Sequence, residues 1–464
     1  MGKDRRLHSR CVQGLHSHRV VFACLVVFAL AALSSAALSS GIFRVDFRDP
    51  AGVIRTNFTH GPLDTSNPFF QTLGTNGRSC VSCHQPSDAW SVTPLHIQAR
   101  FDATGGTDPI FRPVDGATCP TADVSTVDAR RNAYSLLLAK GLIRIDRPLP
   151  PNAEFSIVAI DDPYGCSNSS DVSVYRRPLP STNLGFLSTV MWDGRETQSG
   201  QPIGVDLGQQ AIDATLGHAQ ASTPPTPEQV QQIVNFETGL FTAQIKDNSA
   251  GKLNANGAKG GPLALSVQPF HLGINDPFGG DPNGGSFSPK IFGLFDAWAN
   301  ATGTNAEARR SIARGEAIFN SKRIPIEGVA GINDVLGVKT FNGFCGTCHD
   351  TPNVGDHSLS APLNIGLTDA SRRTPDLPLF TLLCNATGKI VRTTDPGRAM
   401  VTGKCADIGK FKGTILRGLA ARAPYFHNGS AATLMDVVNF YDQRFHLHFS
   451  DQEKADLVAF LQSL

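Results

Sequence analysis

The sequence predicts a mainly α protein made of two helical domains, with a loop-rich, partly β insertion in the N-terminal half. Three observations carry this. A C-x-x-C-H pentapeptide occurs once in each half of the 464-residue chain, as C-V-S-C-H at 80–84 and C-G-T-C-H at 345–349. Segments with helix caps and an apolar face recur in both halves. Gly (45) and Pro (30) are plentiful while charged residues make up only 17%, which suits a soluble fold with many loops and is too apolar for disorder.

Taken in order, the chain opens with Lys3, Arg5, Arg6, Arg10 and Arg19, then an uncharged apolar run from Val20 to Leu33, then Ser34, Ser35, Ala36 and Ala37. A basic start, a short apolar run and small residues read as a secretory signal over 1–37. The run is short of the ~20 apolar residues of a spanning helix, although an uncleaved anchor stays open. Residues 38–247 form the first domain, with 40–79 an irregular lead-in and the insertion over about 85–175. Within it, "AEFSIVAID" and "SDVSVYRR" alternate like short strands. Residues 125–141 read as a helix with a Ser N-cap and a Gly stop, and Thr226 to Thr242 as a capped helix with Pro at its first position. Residues 248–290 are rich in Gly, Asn and Pro, so 248–305 is expected to be a linker. A helix from Ala306 to Phe319 opens the second domain, 306–464, which ends on an Asp-capped helix, "DQEKADLVAFLQSL".

Lys plus Arg (41) balances Asp plus Glu (40), so nothing suggests the basic face that nucleic acid requires. Of ten cysteines, Cys11 and Cys24 lie in the signal and four belong to the pentapeptides, leaving Cys119, Cys166, Cys384 and Cys405. An even remainder in an exported chain implies disulfides. Of the three connectivities, Cys119–Cys166 with Cys384–Cys405 is preferred, because each pair lies within one half.

The pentapeptide is a signature of covalent haem attachment. Its two cysteines add to the haem vinyl groups as thioethers, and the histidine becomes the proximal iron ligand. Zinc would need further paired Cys or His at metal spacing, and the remaining cysteines are not so spaced. The expected cofactors are therefore two haem c groups, on Cys80, Cys83 and His84 and on Cys345, Cys348 and His349, in two cytochrome c-like domains.

Three further stretches carry a family resemblance: "FLSTVMWDGRE" (186–196), "GKFKGTILRGLAARAPYFHNGSAATLMDVVNFYDQRF" (409–445) and the closing helix. With both haem motifs in order, the chain resembles the bacterial di-haem cytochrome c peroxidases and their relative MauG. The resemblance implies that hydrogen peroxide reacts at the N-terminal haem. It implies that a small periplasmic donor, a cytochrome c or a cupredoxin, feeds electrons through the C-terminal haem. A homodimer stays open.

By position, Trp192 is the family's tryptophan between the haems. The second axial ligand of the C-terminal haem falls fourteen residues after the histidine of P-Y-F-H; that histidine is His427, and 427 + 14 gives Tyr441. The peroxidases usually have Met there and MauG has Tyr; Met435 is the competing ligand. A phenolate is anionic and hard and favours ferric and higher states, whereas a thioether favours ferrous iron.

Two departures stand out. The family keeps a Gln and, ten residues later, a Glu for proton transfer; Gln210 matches the first, but residue 220 is Gln220. His218 or Glu196 would have to take over that work. His96 is the only histidine between His84 and Trp192 and so the candidate sixth ligand of the first haem, an open iron being the alternative. Many relatives also hold calcium between the domains, where Arg177 falls here; a cation in that place argues against the ion. The rival readings are a MauG-like oxidase acting on a protein or organic substrate, and a non-catalytic di-haem electron carrier.

Overall fold

The computed structural model describes residues 43–464, and the signal predicted over 1–37 lies outside the described residues. Where an irregular lead-in was expected, the chain forms a hairpin. Strands Phe43–Asp49 and Gly52–Phe58 pair antiparallel, and the second pairs in turn with Leu240–Asp247. Val45, Ile54 and Phe58 turn inward, which is the burial a strand here needs. This pairing also corrects the helix predicted to run to Thr242. It is Pro227–Thr238, with a reciprocal cap between Thr226 and Gln229, and it stops at Gly239 because the next eight residues are drawn into the sheet.

The insertion is partly β, as expected. Ile143–Pro148 pairs with Asp171–Arg176, and Phe155–Asp161 pairs with Leu379–Cys384 from the far half of the chain. Phe155, Val172, Val174, Phe380 and Leu382 form one core across that junction. The helix predicted over 125–141 is two, Val127–Ala133 and Ser135–Lys140, interrupted at Tyr134; Thr126 rather than Ser125 caps the first.

Residues 248–305 are not an exposed linker throughout. Phe292, Phe295 and Trp298 are at most 1% exposed and sit in the largest apolar core with Phe319 and Phe460. Helix Ala306–Ser321 lies against helix Asp451–Gln462, which Ser450 caps rather than Asp451. At Gly315 a Cβ would stand 2.0 Å from the Asp456 carbonyl oxygen, so only glycine permits this contact. Among the described residues helix, 3₁₀ turns included, covers 31% and strand 17%, in four separate sheets, so the fold is mixed with helix the larger share.

The four leftover cysteines pair as preferred, Cys119–Cys166 and Cys384–Cys405, with Cα–Cα distances of 5.7 and 5.9 Å. Each joins segments that no continuous helix or strand connects. Replacing both members of either pair by Ser should lower the unfolding free energy by roughly 2–4 kcal/mol, measured by urea denaturation; unchanged stability would deny the bond a structural role.

Candidate haem cavities

Each pentapeptide folds into the same local structure. A single 3₁₀ turn spans Cys80–Ser82 and Cys345–Thr347. In the first, the Cys83 and His84 amides donate to the Cys80 carbonyl at 3.1 and 3.0 Å; in the second, Cys348 and His349 donate to Cys345 at 3.2 and 3.1 Å. A hydroxyl closes each turn, Ser82 Oγ accepting from the Ser79 amide and Thr347 Oγ1 from the Phe344 amide. The spacing therefore presents two cysteines and a histidine from one turn, twice.

The histidines are oriented alike. His84 Nδ1 lies 3.1 Å from the Trp90 carbonyl and 3.0 Å from Ser181 Oγ, and His349 Nδ1 lies 2.6 Å from the Gly355 carbonyl. In both motifs the carbonyl comes six residues after the histidine. A carbonyl partner makes Nδ1 the protonated nitrogen and leaves the Nε2 lone pair for a metal. Burial pushes His84 down to about 4 and lowers His349 as well, so both rings stay neutral.

Each turn opens into its own cavity, one holding His84 and the other His349. Leu184, Leu187 and Ile233 line the first and Ile324, Leu434 and Leu457 the second, walls suited to a large apolar macrocycle. The unpaired cysteines among the described residues are Cys80, Cys83, Cys345 and Cys348. Burial raises all four thiols, Cys80, Cys345 and Cys348 to about 12. No group of three or more His, Cys, Asp or Glu among the described residues could hold a bare metal ion. The donor set fits haem c and does not fit zinc.

In the second cavity, helix Leu434–Phe445 brings Tyr441 to the lining with His349. Burial raises its phenol, and among the described residues its hydroxyl has no hydrogen-bond partner. Met435 is 36% exposed on the other side of that helix and does not line the cavity.

In the first cavity, helix Ile203–Gly217 lays Gln210, Ala211, Ala214, Thr215 and, at its C-cap, His218 along the wall, one face at helical spacing. His218 Nδ1 pairs with Asp115, which also pairs with Arg78. Burial would raise the Asp115 carboxyl, but Arg78 and His218 hold it below the usual range. Gln220, at the family's Glu position, and Glu196, the other candidate, are elsewhere. Gln220 is exposed, lies just past the helix end at φ 54°, and accepts from Asn76. Glu196 sits beside Arg195 off the lining, its carboxyl pushed up to about 7 by burial and then by Asp213. His96 pairs with Asp88 and does not line the cavity, which leaves it no contact with an iron held there.

Sequence reasoning missed Glu237, a buried acid on the first cavity wall. Burial pushes its carboxyl up to about 7, and Oε2 has no protein partner. Its signal was present: Ile233 and Glu237 share one helix face, a charge on an apolar stripe.

Trp192 lines both cavities. Its indole N–H donates to the Arg177 carbonyl at 2.8 Å, and its own carbonyl accepts from the Lys412 amide at 3.0 Å. His427 meets the indole edge-on at 6.0 Å and stacks on Phe411. Next to it, fully buried Asp193 pairs with Arg176 and Arg195, and Asp395 takes Arg176 through two bonds of 2.7 and 2.9 Å. Gly194 has φ 72°, and a Cβ there would lie 2.6 Å from the Arg398 guanidinium.

A profile for RoxA-like, cytochrome c-like sequences matches residues 410–448. The chain is 34% identical to cytochrome-c peroxidase IdrP2 of Denitromonas iodatirespirans over 28% of this chain and 38% of that one. It is 28% identical to cytochrome-c peroxidase IdrP1 of Pseudomonas sp. (strain SCT) over 36% of this chain and 53% of that one. The match thus spans about half or less of these relatives' length. Among solved structures, a MauG-like protein associated with microbial copper homeostasis aligns over 90% of this chain and 93% of its own, at 16% identity and a TM-score of 0.39. The resemblance to cytochrome c peroxidases read from the sequence is thus found again among curated proteins.

Asp193→Ala should leave Arg176 partly unpaired in the interior. Removing one member of a buried pair costs about 3–5 kcal/mol, so chemical denaturation should show a loss of that order; a loss below 1 kcal/mol would mean that Asp395 alone satisfies the guanidinium.

Proposed function

We propose that this chain, a relative of the bacterial cytochrome c peroxidases, is an exported di-haem peroxidase. Cys80 and Cys83 would hold one haem c, with His84 as the donor its iron would take. Cys345 and Cys348 would hold the other, with His349 and Tyr441 as the donors its iron would take. Hydrogen peroxide is reduced in the first cavity, and a small periplasmic donor supplies electrons through the second. The segment over 1–37 directs the chain to the periplasm. The observation that carries the reading is that Trp192 lines both cavities, giving an electron a π-system to step on between them.

Bound haem would supply the redox chemistry, two electrons for each peroxide, which takes up two protons and leaves as two waters. The chain's residues handle the protons. His218, with Nδ1 held by Asp115, uses Nε2 to take the proton from one peroxide oxygen and deliver it to the other. Arg78 keeps Asp115 ionised and so fixes the imidazole in that orientation. Gln210, on the same wall, orients the peroxide through its side-chain amide.

A second reading, a MauG-like oxidase of a protein or organic substrate, draws support from Tyr441, because a phenolate ligand stabilises higher oxidation states of iron. Tyr441→Phe should open the second iron to small ligands and Tyr441→Met should raise its potential; an unchanged low-spin spectrum in both removes Tyr441 as ligand.

General acid–base help is worth about 10²–10⁴-fold, so His218→Ala should slow peroxide consumption by that factor while both haems stay attached. Wild-type protein that ignores peroxide when fully oxidised and when half-reduced would be an electron carrier instead.

A further inference from the structure

Arg177 stands where the two cavities meet, and its surroundings are unusual for a buried cation. It is 5% exposed and lines both cavities. Its guanidinium donates to three backbone carbonyls, Lys140 and Val92 at 2.6 Å each and Arg422 at 3.1 Å, and no carboxylate is among its partners. Its backbone is tied as well, the amide donating to the His427 carbonyl at 2.7 Å and the carbonyl accepting the Trp192 indole N–H. Val92 and Lys140 belong to the first half of the chain, Arg422 and His427 to the second. One residue thus binds both halves and the tryptophan between them.

Gathering carbonyl oxygens from separate segments around one positive charge is what a bound calcium ion does, with its six to eight oxygen ligands. The family resemblance implies calcium at the junction, and the residues here do not fit it. The cation's place is taken by a guanidinium, and Arg422, half-buried beside it with Nε unpartnered, adds a second positive charge that would repel a divalent ion. Among the described residues no cluster of carboxylates stands ready to hold one.

We propose that Arg177 is a built-in cation that replaces a metal at the junction, holds Trp192 in place, and sets a positive field on both haems. The two-haem reading is assumed, and a protein with no covalent haem would overturn that reading rather than this one. A fixed positive charge beside an iron disfavours its ferric state and raises its reduction potential.

The test uses the holoprotein, with midpoint potentials, thermal midpoint and metal content as readouts. Treatment with a calcium chelator should change neither the potentials nor Tm, and analysis should find no stoichiometric calcium. Arg177→Gln should shift the ferric/ferrous equilibrium of both haems toward ferric by about tenfold, or about 59 mV per one-electron couple. Arg177→Lys keeps the charge and loses the fork, so it should lower Tm while leaving both potentials near wild type; it also serves if the Gln variant fails to fold. One calcium per chain whose removal lowers Tm or moves a potential overturns the proposal. So do unchanged potentials in Arg177→Gln, or a Lys variant whose potentials fall as far as those of the Gln variant.

Discussion

The hydrogen bond from the Trp192 indole to the Arg177 carbonyl fixes the relation between the two cavities. A tryptophan can serve two compartments only if its ring is held edge and face in a shared wall. Here the indole nitrogen is anchored on one side and the residue's own carbonyl, bonded to Lys412, on the other. The ring also has His427 along its edge. Rotating the side chain away would strand a buried N–H, which costs about 1–3 kcal/mol.

That arrangement is supported from behind by charge. Arg176 is fully buried and bonded to both Asp193 and Asp395, which ties the segment carrying Trp192 to the loop before Arg398. Gly194 lets the chain turn at φ 72° so that Arg398 can reach the Asp193 carbonyl. Buried ion pairs add little net stability over apolar packing. These bonds tie the segment that carries Trp192 to Asp395 and Arg398.

Features written in local sequence were legible. A C-x-x-C-H turn is five residues and carries its own capping hydroxyl, so both sites could be read without knowing the fold. Gln210 and His218 were found through the family's spacing, whereas the helix Ile203–Gly217 that lays both along one wall was not read from the sequence. What escaped depends on distant segments. The hairpin starting at Phe43 forms because Gly52–Phe58 finds Leu240–Asp247, and that partner also shortened the preceding helix. Asp115 becomes part of the site only when the insertion folds back to Arg78 and His218. Gln220, ten residues after Gln210, stays off the wall because the helix ends at Gly217 and Gln220 follows in a left-handed turn. The stretch holding Phe292, Phe295 and Trp298 reads as loop because Gly and Pro surround it, yet its aromatic rings are core.

The most direct test of this account is the rate of electron transfer between the two haems in Trp192→Phe holoprotein. The second haem would be reduced rapidly and the oxidised first haem followed by its absorbance. Phenylalanine keeps an apolar ring in the partition but removes the easily oxidised indole and its bond to Arg177. The account predicts that both haems stay attached, that peroxide still reaches the first iron, and that electron arrival there slows sharply. An unchanged rate would mean that electrons cross without Trp192, contradicting its place as the bridge between the cavities.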